Sequence, residues 1–398
     1  MATTDLPLVR RGTTPQTERV FERPAEDRED IREAIWDLAR EGEWIVQPVP
    51  EPYVLAPTKY GTKKIPLGKT WHHKSCGQCG HIPGYSTSIF WLHRTLGYDY
   101  IDPRDQTSCT AWNYYASATS NQAAQAAVAA RNFAAAYATG YYPLIHCGTS
   151  FGHYKDVRHE LVHDAKLRRQ VREIMERLGR PFVMPEEIVH YSEWMYAVRD
   201  QLKERVVRDV SPVVATVHPA CHYYKLQTGD AIYDPEIYGG QRTAAVTAVA
   251  QALGVQVADY STWYDCCGFG FRHILVQRDF TRSFATIRKI GVMIEEANPD
   301  VVLTHDTGCV TSLDKSQFAV QAHGFKVGVP VMSEAQFAAI ALGGHPFRVA
   351  QLHWHSTDYT GLLAKMGVDV ERATVELQHD LQQIKQGTMP HLTWEAVL

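Results

Sequence analysis

Apolar and polar positions follow the same course twice along this chain. Leu96-Gly97-Tyr98-Asp99-Tyr100-Ile101-Asp102 resembles Leu253-Gly254-Val255-Gln256-Val257-Ala258-Asp259. In each, a glycine stops a helix and an alternating strand follows. Seven residues past each final Asp stands a cysteine, Cys109 or Cys266, so both matches share an offset of 157 positions. Further on, Pro143-Leu144-Ile145-His146-Cys147 resembles Val302-Leu303-Thr304-His305-Asp306: an apolar strand ends in His and a ligand-type residue. Helical stretches, Gln122–Ala138 and Phe280–Ala297, precede these two strands. Each half reads strand, helix, strand, which predicts a right-handed parallel unit. The expected fold is α/β, with two pseudo-symmetric halves of short parallel sheet and flanking helices. Their strand-end loops would meet at a shared cleft, where α/β sheets bind ligands.

Around this repeat the pattern changes. Residues 1–70 carry eight prolines and predict an extended N-terminal arm, with one short helix around Arg28–Arg40. Glu160–Val210 is charged and helical, a bridge between the halves. The tail is helical over Thr374–Lys385 and then loose. The expected division is an arm (1–70), a first half with its bridge (71–210), a second half (211–345) and a tail (346–398).

Composition narrows the function classes. With 45% hydrophobic and 21% charged residues the 398-residue chain is globular and long enough for two domains. A net charge of -4, from 40 basic and 44 acidic residues, argues against nucleic acid or an anionic membrane as partner. Met1–Thr14 is charged where a signal peptide is apolar, and no apolar run approaches the ~18–20 residues that span a bilayer. A cytoplasmic protein is expected.

The eight cysteines decide the chemistry. A disulfide framework suits small secreted chains and fits poorly here, so reduced thiols gathered around a metal or cluster are the better account. In the second half Cys221 is followed after 44 residues by Cys266-Cys267-Gly268, and after 40 more by Cys309. Adjacent thiolates diverge and suit a multinuclear centre, and the glycine allows close backbone approach. In the first half Cys76-Gly77-Gln78-Cys79 leads, Cys109-Thr110 follows after a gap, and Cys147-Gly148-Thr149-Ser150 closes.

This arrangement resembles the Cys-Cys-Gly domain proteins: a lead cysteine, a Cys-Cys-Gly triplet and a closing Cys-x-x-Cys, usually twice per chain. It is most similar to the B-type subunit of heterodisulfide reductase, and in its arm and missing cysteines to B-type subunits of the sulfur-oxidising heterodisulfide-reductase-like complex. The resemblance runs from about Cys76 to Gly367 and includes Ala129-Ala130-Arg131-Asn132 and the Tyr260–Gly268 approach to the pair. It implies an oxidoreductase subunit that holds iron–sulfur clusters on Cys76, Cys79, Cys109 and Cys147 and on Cys221, Cys266, Cys267 and Cys309. It also implies a ferredoxin-like C-type subunit and a flavoprotein A-type subunit as partners. The substrate would be a disulfide or persulfide, such as lipoate on a lipoate-binding protein.

Three positions depart from the pattern. Thr110 replaces the second cysteine of the first pair, Ser150 ends the first Cys-x-x-Cys, and Asp306 begins the second. Each half keeps four cysteines, the usual complement of a cubane 4Fe–4S centre, with a 2Fe–2S or a non-cubane four-iron cluster as the alternatives. Asp306, His146 or His305 could supply an oxygen or nitrogen ligand, which makes Asp306 a candidate labile site and, with His305, a candidate catalytic residue. Zinc is the rival in the first half, since four thiolates also make a zinc site. The alternatives in function are an electron-transfer or structural subunit without its own catalysis, and a zinc-binding scaffold.

Nineteen histidines accompany the cysteines, and His218-Pro219-Ala220-Cys221-His222-Tyr223 and His305-Asp306 are the stretches to test first. His353-Trp354-His355 would put two histidines on one face of a strand but has no third ligand nearby, so a structural role is expected. Gly268-Phe269-Gly270-Phe271 lacks a dinucleotide-loop context and reads as a tight turn. Arg272 could orient an anionic sulfur substrate or pair with a surface acid.

Overall fold

Two glycines in the left-handed region end the helices where the repeats require it: Gly97 at φ 77 and Gly254 at φ 98. Only glycine adopts that conformation without steric cost. The computed structural model describes residues 30–73, 75, 82–111, 121–225, 228–269, 277–321, 324 and 327–388. Cys76, Cys79, Arg272 and, from the turn expected at Gly268-Phe269-Gly270-Phe271, Gly270 and Phe271 lie outside them, as does the end of the tail.

Each half is built on a four-stranded sheet. In the strand numbering used here, β1 (Ile45–Gln47), β2 (Tyr53–Thr58) and β3 (Gly61–Pro66) belong to the arm. The first sheet holds β4 (Thr70–His73), β5 (Tyr100–Ile101), β6 (Tyr142–Ile145) and β8 (Val189–His190); β7 (Val183–Pro185) pairs with β1 instead. The second sheet holds β9 (Val214–His218), β10 (Gln256–Val257), β11 (Val301–Thr304) and β12 (Val331–Ser333). Their orders are β5-β4-β6-β8 and β10-β9-β11-β12, every pairing is parallel, and the topologies are therefore identical. Register carries the repeat to single residues: Thr70 faces Tyr142 as Ala215 faces Val301, which makes His218 the equivalent of His73 and His305 the equivalent of His146. β4, β6 and β11 are buried along their whole length, as parallel strands covered on both faces are.

The two halves share their cores. One apolar cluster contains both Leu144 and Leu303, and a second contains both Ile145 and Val302, so opposite faces of β6 and β11 feed two common cores. Ile35 of helix Arg32–Arg40 belongs to one of these cores, and Ala56 and Ile65 of the hairpin β2–β3 belong to the other, so the described part of the arm lies on the body. Lys63 on β3 is fully buried, 3.0 Å from Glu193 and 3.4 Å from Asp230, and so joins arm, first half and second half.

Several elements differ from the sequence expectation. The helical bridge also contains β7 and β8, three and two residues long, too short to show a period. The last helix runs Val370–Gln386, beginning earlier because the Asp369 side chain accepts from the Arg372 amide at 3.0 Å. His353–His355 is no strand: Leu352–Trp354 forms a single 3-10 turn, and the buried His355 ring meets the Tyr359 hydroxyl at 2.8 Å. Among the described residues no helix is long and apolar enough to cross a membrane.

Candidate metal centre

The carboxyl ends of β9 and β11 carry the second-half cysteines. Cys221 opens a short helix three residues past the end of β9, and Cys309 is the third residue of helix Thr307–Gln321. The Cys266-Cys267 loop lies against both. Cys221 and Cys266 sulfurs are 3.9 Å apart, and those of Cys267 and Cys309 are 3.3 Å apart. Three of the four thiols are buried and Cys266 is partly exposed. Gly268 at φ 83 turns its amide onto the Cys266 sulfur at 3.2 Å, and a Cβ there would lie 2.6 Å from Thr281 Cγ2. The glycine is thus demanded by both dihedral and space.

These thiols share charge unequally. Hydrogen bonds from Cys221 and Cys267, helped by the Gly268 amide, pull Cys266 down to about 3. Burial pushes Cys309 up to about 12. Two lysines stand near the group. Lys289, buried in a π-helical turn (Thr286–Gly291), donates to the Trp263 carbonyl at 3.1 Å and also to that of Thr262, and burial lowers it to about 7. Lys225 lies 4.0 Å from the Tyr264 ring centroid. Neither was singled out from sequence; the only signal for Lys289 is a lysine inside an otherwise amphipathic helix.

His218 completes this group. It is fully buried, and among the described residues neither ring nitrogen has a hydrogen-bond partner. A ring nitrogen of His218 and the sulfurs of Cys267 and Cys309 all lie within 4.8 Å of one another. A buried imidazole without partners beside four thiols has the chemistry of a metal or cluster donor set, because each of these groups costs free energy when buried uncompensated. The second half therefore fits the metal centre that its cysteines imply.

The first half is described in part, since Cys76 and Cys79 lie outside the described residues. Cys109 and Cys147 are buried. The Ser150 hydroxyl donates to the Cys109 sulfur at 2.9 Å, so at the position of the missing thiolate a donor supports a remaining one. Thr110 sits at φ 60 with its hydroxyl on the Cys109 carbonyl. Asn132 bonds the Thr107 amide at 2.9 Å and the Tyr154 hydroxyl at 2.9 Å, pinning the loop that carries Cys109.

The halves meet at Asp306. Its Oδ1 accepts from the Cys309 amide at 2.7 Å, which caps helix Thr307–Gln321. Its Oδ2 accepts from the Thr149 amide at 2.7 Å and hydroxyl at 2.9 Å, at the first turn of helix Gly148–His163, and from the Cys147 thiol at 3.2 Å. One buried carboxylate thus receives two helix N-termini. Burial alone would raise its pKa, but the Thr149 and Cys309 amides outweigh it and the carboxyl is held below its ordinary 3.8. Four donors match the roughly four lone-pair sites of a carboxylate, so ligation by Asp306 requires that a donor be released. His305 is engaged at both nitrogens: Nε2 accepts from the Ala220 amide at 2.9 Å, which leaves Nδ1 protonated toward Ser192 Oγ at 3.0 Å. Burial lowers it to about 4, and it stays neutral.

Fold and site together define a cysteine-rich α/β protein of two repeated halves. Residues 215–314 match the family model of the cysteine-rich CCG domain. Over 321 residues the chain is 28% identical to the B-type subunit of the ferredoxin:CoB-CoM heterodisulfide reductase of Methanosarcina acetivorans, spanning 77% of this chain and 98% of that protein. It is 24% identical over 284 residues to a protein of Archaeoglobus profundus that is itself like the heterodisulfide reductase B-type subunit, 69% of this chain and 91% of that one. A crystal structure of a hypothetical protein from Helicobacter pylori shares the fold at a TM-score of 0.54 and 13% identity, over 87% of this chain and 60% of that one. The resemblance drawn from the cysteine pattern holds: the chain is similar to the heterodisulfide reductase B-type subunit over most of its length and carries a Cys-Cys-Gly domain.

Proposed function

We propose that this chain is the iron–sulfur subunit of a heterodisulfide-reductase-like complex and handles disulfide or persulfide sulfur, such as that of protein-bound lipoate. The observation that carries the reading is the second-half group: four cysteine sulfurs and an unpartnered imidazole, on a chain similar to the heterodisulfide reductase B-type subunit. A cluster bound there would supply single-electron transfer and an iron able to take a substrate sulfur. The chain's own residues set the conditions around it. The Gly268 amide donates to the Cys266 sulfur, and that hydrogen bond favours the more reduced state. Asp306 locks two helix N-termini and with them Cys147 and Cys309. His222, 3.8 Å from the Cys221 sulfur and 3.4 Å from the Thr149 hydroxyl, is placed to hold a proton for a departing thiolate. Partners in this reading are a ferredoxin-like C-type subunit, a flavoprotein A-type subunit and a lipoate-binding protein, and the reaction is cytoplasmic sulfur oxidation.

A second reading, a zinc centre, is favoured by one observation. Ligands around a single tetrahedral ion at about 2.3 Å lie about 3.8 Å apart, and the Cys221–Cys266 and Cys267–Cys309 separations of 3.9 and 3.3 Å are of that order. Metal and acid-labile sulfide analysis of anaerobically purified protein separates the two. Iron with stoichiometric sulfide is expected; zinc without either overturns the cluster reading.

A further inference from the structure

Position for position, the two halves treat one histidine differently. His73 ends β4 and His218 ends β9, each three residues before a lead cysteine, Cys76 or Cys221. His73 Nε2 is met by the Tyr154 hydroxyl at 3.0 Å. Tyr154 stands seven residues after Cys147; seven residues after Asp306 stands Leu313, which has no hydroxyl to offer. Among the described residues His218 is accordingly left with no partner at either nitrogen, although it is fully buried. Its ring nitrogen lies within 4.8 Å of both the Cys267 and the Cys309 sulfurs. The same half has lost the thiolate at position 306, and the aspartate there is committed to capping two helices.

We propose that the His218 imidazole is a direct ligand of the second-half iron–sulfur centre, a nitrogen donor beside Cys267 and Cys309 that makes up for the thiolate absent at Asp306. The proposal rests on the cluster reading above. It assigns the two centres different chemistry: the second carries a neutral nitrogen donor, while in the first His73 is held by a tyrosine. Exchanging a thiolate for a neutral imidazole removes negative charge and raises a cluster's potential, as histidine ligation does in Rieske centres.

The experiment uses the full chain, purified anaerobically, with iron and acid-labile sulfide measured first. Pulsed electron paramagnetic resonance of the oxidised and reduced protein is then read for a directly bound nitrogen, with and without 15N-histidine. A strong nitrogen coupling that changes isotope with the label is expected. It should vanish in His218→Ala and in His218→Cys, and persist in His73→Ala. His218→Cys, which retains a metal-binding donor if the alanine variant loses its cluster, is expected to shift the second centre's midpoint potential to a more negative value. Iron and sulfide at full content with no histidine nitrogen coupling, or a coupling unchanged in His218→Cys, overturns the proposal and leaves the cluster reading standing. Absence of iron and sulfide overturns both.

Discussion

At the scale of single residues, Asp306 shows how one side chain can be claimed by structure at a position where chemistry was expected. Its carboxylate receives the Cys309 amide, the Thr149 amide and hydroxyl and the Cys147 thiol. Removing a capping side chain costs about 0.5–2 kcal/mol per helix, so Asp306→Ala is expected to destabilise the metal-free protein by roughly 1–4 kcal/mol, measured by urea unfolding. Asp306→Asn, which keeps one acceptor, should recover part of that loss. A free-energy change near zero for the alanine variant would mean that the double cap contributes nothing. The substitutions at Thr110, Ser150 and Asp306 were all legible in sequence, because each breaks a spacing rule. Their roles were not, because a cap shared between halves and a hydroxyl donating to Cys109 depend on which strand ends the fold brings together. Glu334 was invisible for the same reason. It is buried with the Tyr85 hydroxyl donating at 2.8 Å, and burial pushes its carboxyl from 4.5 up to about 8. A carboxyl raised in the folded state costs nothing below about pH 4.5, where both states are protonated, and costs progressively more as pH rises toward 8. Glu334→Gln is uncharged throughout. Its stability relative to wild type should therefore grow between these two limits, and urea midpoints that move in parallel across that range would contradict it.

At the scale of elements, the repeated Leu-Gly stops and the apolar strands ending in His were correct in kind and place, because a helix stop and a buried strand are both local signals. Elements of two or three residues, such as β7 and β8, escaped, as did the π-helical turn at Thr286–Gly291. That turn matters for the centre. Inserting one extra residue into the helix re-aims its side chains, and here Lys289 reaches back to the carbonyls of Thr262 and Trp263 in the loop before Cys266. Lys289→Met leaves those carbonyls without their donor, at about 1–3 kcal/mol, and removes a charge that burial confines to pH values below about 7. The expected outcome is a lower unfolding midpoint together with a more negative potential for the second centre only, a potential shift that fades as pH rises through about 7. A potential shift of equal size in both centres, followed by redox titration, would show that the effect is global rather than local.

At the scale of the whole molecule, the two halves are held as one body by shared apolar cores and by a buried ionic group that the arm supplies. Lys63 lies 3.0 Å from Glu193 of the first half and 3.4 Å from Asp230 of the second, Lys155 lies 3.6 Å from Asp230, and the Tyr223 hydroxyl donates to Glu193 at 2.9 Å. The sequence showed an arm but could not show that one of its lysines closes the seam, since Lys63 alternates along β3 like any edge residue. Burial disfavours its charge, yet Asp230 and Glu193 outweigh that penalty and hold its pKa above 10.5. The stabilisation is thus fully present below about pH 10.5 and fades only as pH climbs through the raised value. Removing one member of such a group leaves buried carboxylates uncompensated, which typically costs about 3–5 kcal/mol. Lys63→Met should therefore lower stability by about that much and, because Asp230 follows closely on the Cys221 helix, slow metal loading of the second half. If the group merely fills space, Lys63→Met will instead unfold like wild type, since methionine replaces most of the volume. Pairing Lys63→Met with Glu193→Gln decides between the two: removing the orphaned charge is expected to restore part of the lost free energy, whereas independent packing defects would add.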